Sequence, residues 1–464
     1  MSLPDDVPPL APPHDASPAT VAEPGRLRRL ARKAEFDRAV FFALAARLWQ
    51  TLAGPVTVLL IATRFDPKTQ GYYYAFGSLL AVQSLFELNL CVVLLNAAGH
   101  EWPLLRLDPR GRVTGDAHAA DRLAGLDRFG VRWYGVAALL CFVGVGAAGH
   151  WMFRDLPPAG HAAWAVSVAA ASAMLVLLPR TAILQGCHQV EAVNRNAALQ
   201  AVTGTLAVWA VVLAGLGLWA VAASWLTRLA WDARLVFRRF REFFGSLRSR
   251  AAPHVRWREE IWPLQWRLAL QAVAAAAATS SFVLALFQLR SEAAGGRMGM
   301  TLSVLNMLLW GGLAWLQTRI PVLAGHSRRN DRAEYDRLFL RVTLSTLTVV
   351  AAGAAAFWAA VAAMHGLRLA IAERFLDPLA FAVLSAAIVT QHLLNCLTIY
   401  ARTRQREPFL VPGVLLNFAI ATGVWLAAPA FGELGVATVY ASLLTIVGVP
   451  VWVVVWSRDR ATWS

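Results

Sequence analysis

The sequence predicts an all-α integral membrane protein of about twelve transmembrane helices, with both termini cytoplasmic. Three observations carry this. Of 464 residues, 58% are hydrophobic and only 15% charged, whereas soluble domains are about 25% charged. The apolar residues fall in runs, and crossing a bilayer takes roughly 20 such residues. The 43 Lys+Arg alternate between successive loops as the positive-inside rule requires.

The first 25 or so residues hold Pro4, Pro8, Pro9, Pro12, Pro13, Pro18 and Pro24 among acids and small residues. Such a segment is too poor in apolar side chains to pack, and it lacks the basic-then-apolar order of a signal peptide. It reads as a disordered cytoplasmic tail over residues 1–35. The spans then read as Ala39–Ala62, Tyr74–Ala98, Phe129–Trp151, His161–Leu184, Ala197–Leu216 and Leu218–Val236. A basic cytoplasmic linker follows over residues 237–260. The second set is Ile261–Phe287, Met300–Leu323, Phe339–Met364, Leu379–Tyr400, Phe409–Ala430 and Leu434–Trp456. The chain thus divides into halves, 36–236 and 261–464, of six spans each. With the amino terminus inside, 34 cations count to the cytoplasmic side, Arg132, Arg180, Arg228, Arg234, Arg319 and Arg341 among them lying inside the bounds of spans that end there, and 7 count outside; Arg47 and Arg267 are the two set apart as intramembrane. The net charge of +15 therefore sets orientation and gives no reason to expect a nucleic-acid partner.

A faint repeat relates the halves. Gly71–Leu80 reads GYYYAFGSLL and Gly296–Leu305 reads GRMGMTLSVL; each enters the second span of its half. Trp49-Gln50 in the first span has a counterpart in Gln265-Trp266 in the seventh.

Polar groups inside spans are costly, and a charge at a helix centre costs about 2.5–3.5 kcal/mol on insertion scales. Arg47 with Gln50, and Arg267 with Gln265 and Gln271, stand in the first span of each half. One reading is a central, hydrated, cationic cavity; the other is snorkelling to headgroups or pairing with a carboxylate. Gln83 and Glu87 share a face of the second span. Glu87 reads either as the counter-ion of Arg47 or as a protonatable group coupling transport to H+ or Na+. Gln391, His392 and Asn395 lie in the tenth span, where they either face substrate or tie neighbouring helices together. Cys91, Cys141, Cys187 and Cys396 are far apart, and His100-Glu101 lacks the second His of a zincin motif. No metal, cofactor or disulfide framework is expected.

The stretch QGYYYAFGSLLAVQSLFELNLCVVLLNAAGHE, Gln70–Glu101, with Asp66-Pro67 ahead of it, resembles bacterial polysaccharide-export proteins. These belong to the multidrug/oligosaccharidyl-lipid/polysaccharide (MOP) flippase superfamily. Further likeness lies at ILQGCHQV (Ile183–Val190), IWPLQWR (Ile261–Arg267), MGMTL (Met298–Leu302) and REPFLV (Arg406–Val411). Together these resemble a Wzx-like branch. The resemblance implies two six-helix bundles, MATE/Wzx-like, around a central cavity. It also implies a polyprenyl-diphosphate-linked oligosaccharide as cargo and the bacterial inner membrane as location. Membrane lipid and the lipid-linked glycan are then the expected partners, with a polysaccharide polymerase or export machinery beside them. A guanidinium suits a diphosphate because its planar fork binds oxyanions bidentately. A multidrug or metabolite:cation antiporter of the same fold is the second reading. An enzyme is not expected, since the outside loops are short and Asp66 is the first loop's only acid. A scaffold subunit of an export complex is a fourth reading.

Overall fold

A computed structural model describes residues 26–250, 259, 262–404 and 406–462. Of the expected tail, residues 1–25 lie outside the described residues, while residues 26–35 already belong to α1 (Arg26–Arg64). Span two is broken into α2 (Pro67–Ala81), α3 (Gln83–Glu87) and α4 (Leu90–Glu101). A hairpin of β1 (Leu105–Leu107) and β2 (Val113–Gly115) precedes α5 (Ala117–Met152), α6 (Pro158–Gly186), α7 (Val190–Leu213) and α8 (Trp219–Arg234). A π turn, Leu235–Arg239, leads to the short α9 (Arg241–Arg248). The rest comprises α10 (Trp262–Leu289), α11 (Glu292–Thr318), α12 (Ile320–Arg328), α13 (Arg332–Gly366), α14 (Pro378–Arg402), α15 (Leu410–Ser442) and α16 (Val449–Ala461).

Among the described residues, nine helices are long and apolar enough to cross a membrane, and the bent pair around Leu88 makes up to ten. Two local facts bear on the expected twelve. The 52-residue run Leu410–Ala461 is interrupted at Gly432, whose φ of 60° and ψ of −144° are not helical. Only glycine enters that region without strain. The carbonyls freed by this break are covered by Arg290, which donates to Ala428 O at 3.0 Å and Ala430 O at 3.2 Å. The second fact is that α8 has 16 residues, but helical backbone continues through the π turn to Arg239.

Starts of helices follow from capping chemistry. Asp66 accepts from the N–H groups of Lys68 and Thr69 at 2.9 and 3.0 Å, and Pro67 opens α2. Asp116, Ser291, Asp331 and Asp377 cap α5, α11, α13 and α14 in the same way. Each satisfies a donor that a helix start leaves free.

Packing repeats between the halves: α1 lies on α7 as α10 lies on α15, and α5 on α6 as α13 on α14. The halves meet where α2 crosses α11. There the glycines of the faint repeat touch. A Cβ on Gly71 would fall 2.0 Å from Glu292 O, and one on Gly296 would fall 2.9 Å from Gly71 N. Small residues permit this backbone approach, as at other close membrane-helix crossings. Gln70, buried beside them, donates from Nε2 to Gly296 O and Arg374 O, both at 3.0 Å. This end, opposite the arginine-rich one, is therefore closed by direct contact.

The arginine-rich end carries a second, smaller core. Trp102, Leu105 and Val113 from the hairpin region meet Phe243, Phe244 and Leu247 of α9. Val113 N–H donates to Ser246 Oγ at 3.1 Å, and Arg112 pairs with Glu242 at 3.2 Å. Part of the expected linker is thus folded onto the first half; residues 251–258 and 260 lie outside the described residues.

Candidate functional site

Two cavities adjoin each other between the halves. One, of about 350 Å³, is walled by α2, α8, α10 and α11 and presents Ser78, Ser224, Thr279, Ser280, Ser303 and Asn306. The other, of about 530 Å³, is walled by α1, α11 and α13 and is mainly apolar, with Pro55, Met307, Phe357, Met364 and Phe375. Tyr73, Tyr74 and Ser303 line both, so one chamber of hydroxyls opens onto one of hydrocarbon. The residues that form the polar chamber are small ones set in apolar helices. Thr279 and Ser303 return their hydroxyls to their own helix, at Ala275 O and Gly299 O. Ser280 is 5% exposed, and its Oγ has no hydrogen-bond partner among the described residues. A buried polar atom left so is costly, and a polar guest entering the chamber would relieve it.

Among the described residues, no charged side chain lines either cavity. Arg47 and Arg267, expected to make a cationic chamber, line neither cavity, for a positional reason. Both Nη atoms of Arg47 donate to Gln317 Oε1 at 3.2 Å. Gln317 stands two residues before Arg319, at the arginine-rich end of α11. Arg47 is thus level with the basic end, and it bridges the halves there instead of pairing with Glu87. Arg267 lies in the second turn of α10, exposed, with its guanidinium 5.6 Å from the ring centre of its neighbour Trp266. Snorkelling accounts for both.

The other expected binding residues scatter. Gln50 lines the apolar cavity. Gln265 is fully buried. Gln271 accepts from Arg402 Nη2 at 2.9 Å. Gln391 donates to Asn395 Oδ1 at 3.1 Å, one turn along the same helix. His392 is buried against Thr346 Oγ1 at 3.0 Å and Cys396 Sγ at 3.6 Å, and its Nδ1 has no partner among the described residues. Gln271 and His392 join neighbouring helices while Gln391 and Asn395 bond within one helix, and the hydroxyls that make the chamber carry no conspicuous motif. The signal was present as the interruption Thr279-Ser280-Ser281 in an alanine-rich span, with Ser78, Ser224, Ser303 and Asn306 at similar depths.

Gln83 and Glu87 mark a separate feature. Leu88 and Asn89 are both left-handed, at φ 46° and 52°, and the helix bends by 45° across them. Non-glycine residues pay strain for this conformation. Asn89 Nδ2 donates to Leu268 O of α10 at 3.0 Å, so the break is held by the other half. Gln83, 7% exposed, hydrogen-bonds Glu87 through its side chain, while its Oε1 has no partner among the described residues. The Glu87 carbonyl accepts from Tyr134 OH at 3.3 Å. No cation pairs with Glu87 among the described residues. Likewise no group of three or more His, Cys, Asp or Glu that could hold a metal occurs among them.

No protein-family profile matches the sequence, and no curated protein matches it. The fold does have solved counterparts. An inward-facing MATE-family multidrug resistance transporter of the MOP superfamily matches with TM-score 0.59 and 12% identity, over 88% of this chain and 99% of that one. The lipid II flippase MurJ, in an inward closed conformation, matches with TM-score 0.61 and 9% identity, over 92% and 90%. A MOP superfamily transporter from Pyrococcus furiosus, described as having a binding pocket of reverse polarity, matches with TM-score 0.52 and 12% identity, over 92% and 95%. The chain therefore has the fold of MOP-superfamily transporters and is a multi-pass membrane protein.

Proposed function

We propose that the protein is a flippase that moves a polyprenyl-diphosphate-linked oligosaccharide across the bacterial cytoplasmic membrane. In this reading twelve spans form two six-helix halves, both termini are cytoplasmic, and the halves rock about the α2–α11 crossing. One observation carries the reading: a hydroxyl-lined chamber and a hydrocarbon-lined chamber share the wall Tyr73–Tyr74–Ser303. An amphipathic cargo fits that pair. Sugar hydroxyls would exchange water for Ser, Thr and Asn partners, while the prenyl chain stays in the apolar cleft beside α1. A cationic drug would favour a carboxylate in its site, and among the described residues neither chamber has one. The protein supplies passage and no covalent chemistry. Glu87 at the broken span is the group proposed to couple passage to H+ or Na+, and a polysaccharide polymerase is the proposed neighbour in the membrane.

The test is reconstitution of the purified chain in vesicles with a fluorescent polyprenyl-diphosphate disaccharide, followed by a membrane-impermeant quencher. The protein should make nearly all of the probe accessible, against about half in empty vesicles. Filling the polar chamber with Ser303→Leu or Asn306→Leu should slow this without reducing incorporation. Vesicles that behave as empty ones at full incorporation sink the flippase reading.

A further inference from the structure

A third concavity lies at the arginine-rich end, away from both chambers. It has a volume of about 610 Å³ and is walled by the start of α7 and the end of α8. Four arginines line it, Arg195, Arg234, Arg238 and Arg239, together with Trp231 and Asn196. Several arginines elsewhere at this end are answered by acids: Arg112 by Glu242, Arg122 by Glu101, Arg250 by Asp121, Arg404 by Asp459 and Arg460 by Asp336. No carboxylate pairs with any of these four among the described residues. The acid closest in sequence, Asp232, is turned inward. Its Oδ1 accepts from Asn196 Nδ2 at 2.8 Å and Gln200 Nε2 at 2.5 Å, and the residue is 6% exposed. Two amides thus satisfy the carboxylate and leave the guanidinium groups uncompensated.

Backbone geometry also serves this gathering. Residues five apart in an α-helix point about 140° away from each other, at 3.6 residues per turn. The π turn Leu235–Arg239, closed by Phe240 N–H to Leu235 O at 3.0 Å, widens that turn. Arg234 and Arg239 can then share one wall with Arg238. Such bulges recur at functional sites. Trp231 is held by its Nε1 donating to Thr203 Oγ1 at 2.8 Å, and Arg234 lies 5.5 Å from its ring centre. The indole and Leu199 add apolar surface beside the guanidinium groups, the mixture that suits a membrane interface.

The geometry points to a binding site for a lipid headgroup carrying two phosphates, taken from the membrane leaflet at this end. Four guanidinium forks can offer paired N–H donors to two phosphate groups, and basic pockets between spans bind such headgroups. The site does not depend on transport, so it stands or falls separately from the flippase reading.

The purified full chain in neutral detergent is titrated, by native mass spectrometry, with cardiolipin, with undecaprenyl diphosphate, with phosphatidylglycerol and with inorganic pyrophosphate. One-to-one binding of cardiolipin or undecaprenyl diphosphate, about tenfold or more tighter than phosphatidylglycerol, is expected. Cardiolipin alone identifies a glycerophospholipid as the occupant, undecaprenyl diphosphate alone identifies a polyprenyl diphosphate, and both together support the shared two-phosphate chemistry. The combined variant Arg195→Gln, Arg234→Gln, Arg238→Gln, Arg239→Gln should weaken binding on the order of a hundredfold. A control replaces the exposed Arg106, Arg110, Arg328 and Arg329 with Gln and should change little. Should the pocket variant elute as aggregate, Arg195→Gln alone, on α7, should still weaken binding. Unchanged binding in the pocket variants, equal loss in the control, or pyrophosphate as tight as the lipids overturns the proposal.

Discussion

Each half carries an acid near the arginine-rich end of its third long helix, Asp127 on α5 and Asp336 on α13, and each acid holds its half together differently. Asp127 accepts from Arg180 Nε at 3.1 Å, with the two side chains 5% and 9% exposed. Phe244 of α9 covers the guanidinium, 5.0 Å from ring centre to Cζ. Asp336 instead accepts from Tyr400 OH at 2.8 Å and from Arg460 Nη2 at 2.8 Å, and Arg460 remains 39% exposed. Here the tail helix α16 supplies the cation, and a second tail acid, Asp459, takes Arg404 at 2.8 Å. Helix packing is duplicated between the halves, while the electrostatic locks are not. The first half is sealed by the folded part of the linker, the second by the end of the chain.

The difference in burial sets the largest expected effect. Asp127→Ala leaves Arg180 charged under an aromatic lid and should cost about 3–5 kcal/mol, read from thermal unfolding in detergent. The double variant Asp127→Leu, Arg180→Met should recover most of it, because a buried pair contributes little beyond its apolar replacement. Asp336→Asn is expected to cost less, about 1.5–3 kcal/mol, since Arg460 can return to water. Equal costs at the two sites would show that exposure of the partner does not decide the outcome.

What was legible in the sequence follows the same division. Apolar runs mark the spans because the bilayer demands continuous hydrocarbon, and the cation asymmetry marks which end is basic. The Gly71/Gly296 repeat was faintly visible and coincides with the tightest contact between the halves. The break at Leu88–Asn89 was not legible, because neither residue is Gly or Pro; tertiary contact through Asn89 to Leu268 O holds it. The hairpin was missed although Asp108-Pro109-Arg110-Gly111 is a turn sequence, with Asp108 Oδ1 accepting from the N–H groups of Arg110 and Arg112. For the site, attention to charge misled. Long cations reach toward water and leave the interior, so the residues lining the chambers are short hydroxyls without a motif.

Where the repeat is obeyed, the two halves should still respond unequally. Gly71→Ala drives a methyl to 2.0 Å from Glu292 O, whereas Gly296→Ala brings one to 2.9 Å from Gly71 N. Both contacts are with backbone, which cannot move aside as a side chain can; the overlap at Gly71 is deeper, so Gly71→Ala should cost more, about 1–3 kcal/mol. Gly77→Ala, with nothing within 4 Å of the added carbon, is the matched control. Cysteine cross-linking between the ends of α2 and α11 would report the loosening; equal yields in all three variants would mean that the contact does not close this end.

The smallest effect distinguishes the same two helices by their caps. Asp66 caps α2 and Ser291 caps α11, and only the first can titrate. Burial alone would raise the Asp66 carboxyl. The Thr69 hydroxyl, at 2.5 Å, and the N–H groups of Thr69 and Lys68 outweigh it and hold the carboxyl below its ordinary value. A depressed acid contributes fully above its unfolded value, and the contribution is lost as pH falls through the folded one. Asp66→Ala and Ser291→Ala should each cost about 1 kcal/mol near neutral pH. Below pH about 4, the Asp66 deficit should shrink toward zero as the native cap protonates, while the Ser291 deficit should persist. Hydrogen exchange at the Lys68 and Thr69 amides, followed from pH 6 downward, reads the difference directly. Protection that falls equally at the start of α11 would assign the acid response to a shared opening of the α2–α11 crossing and not to the cap.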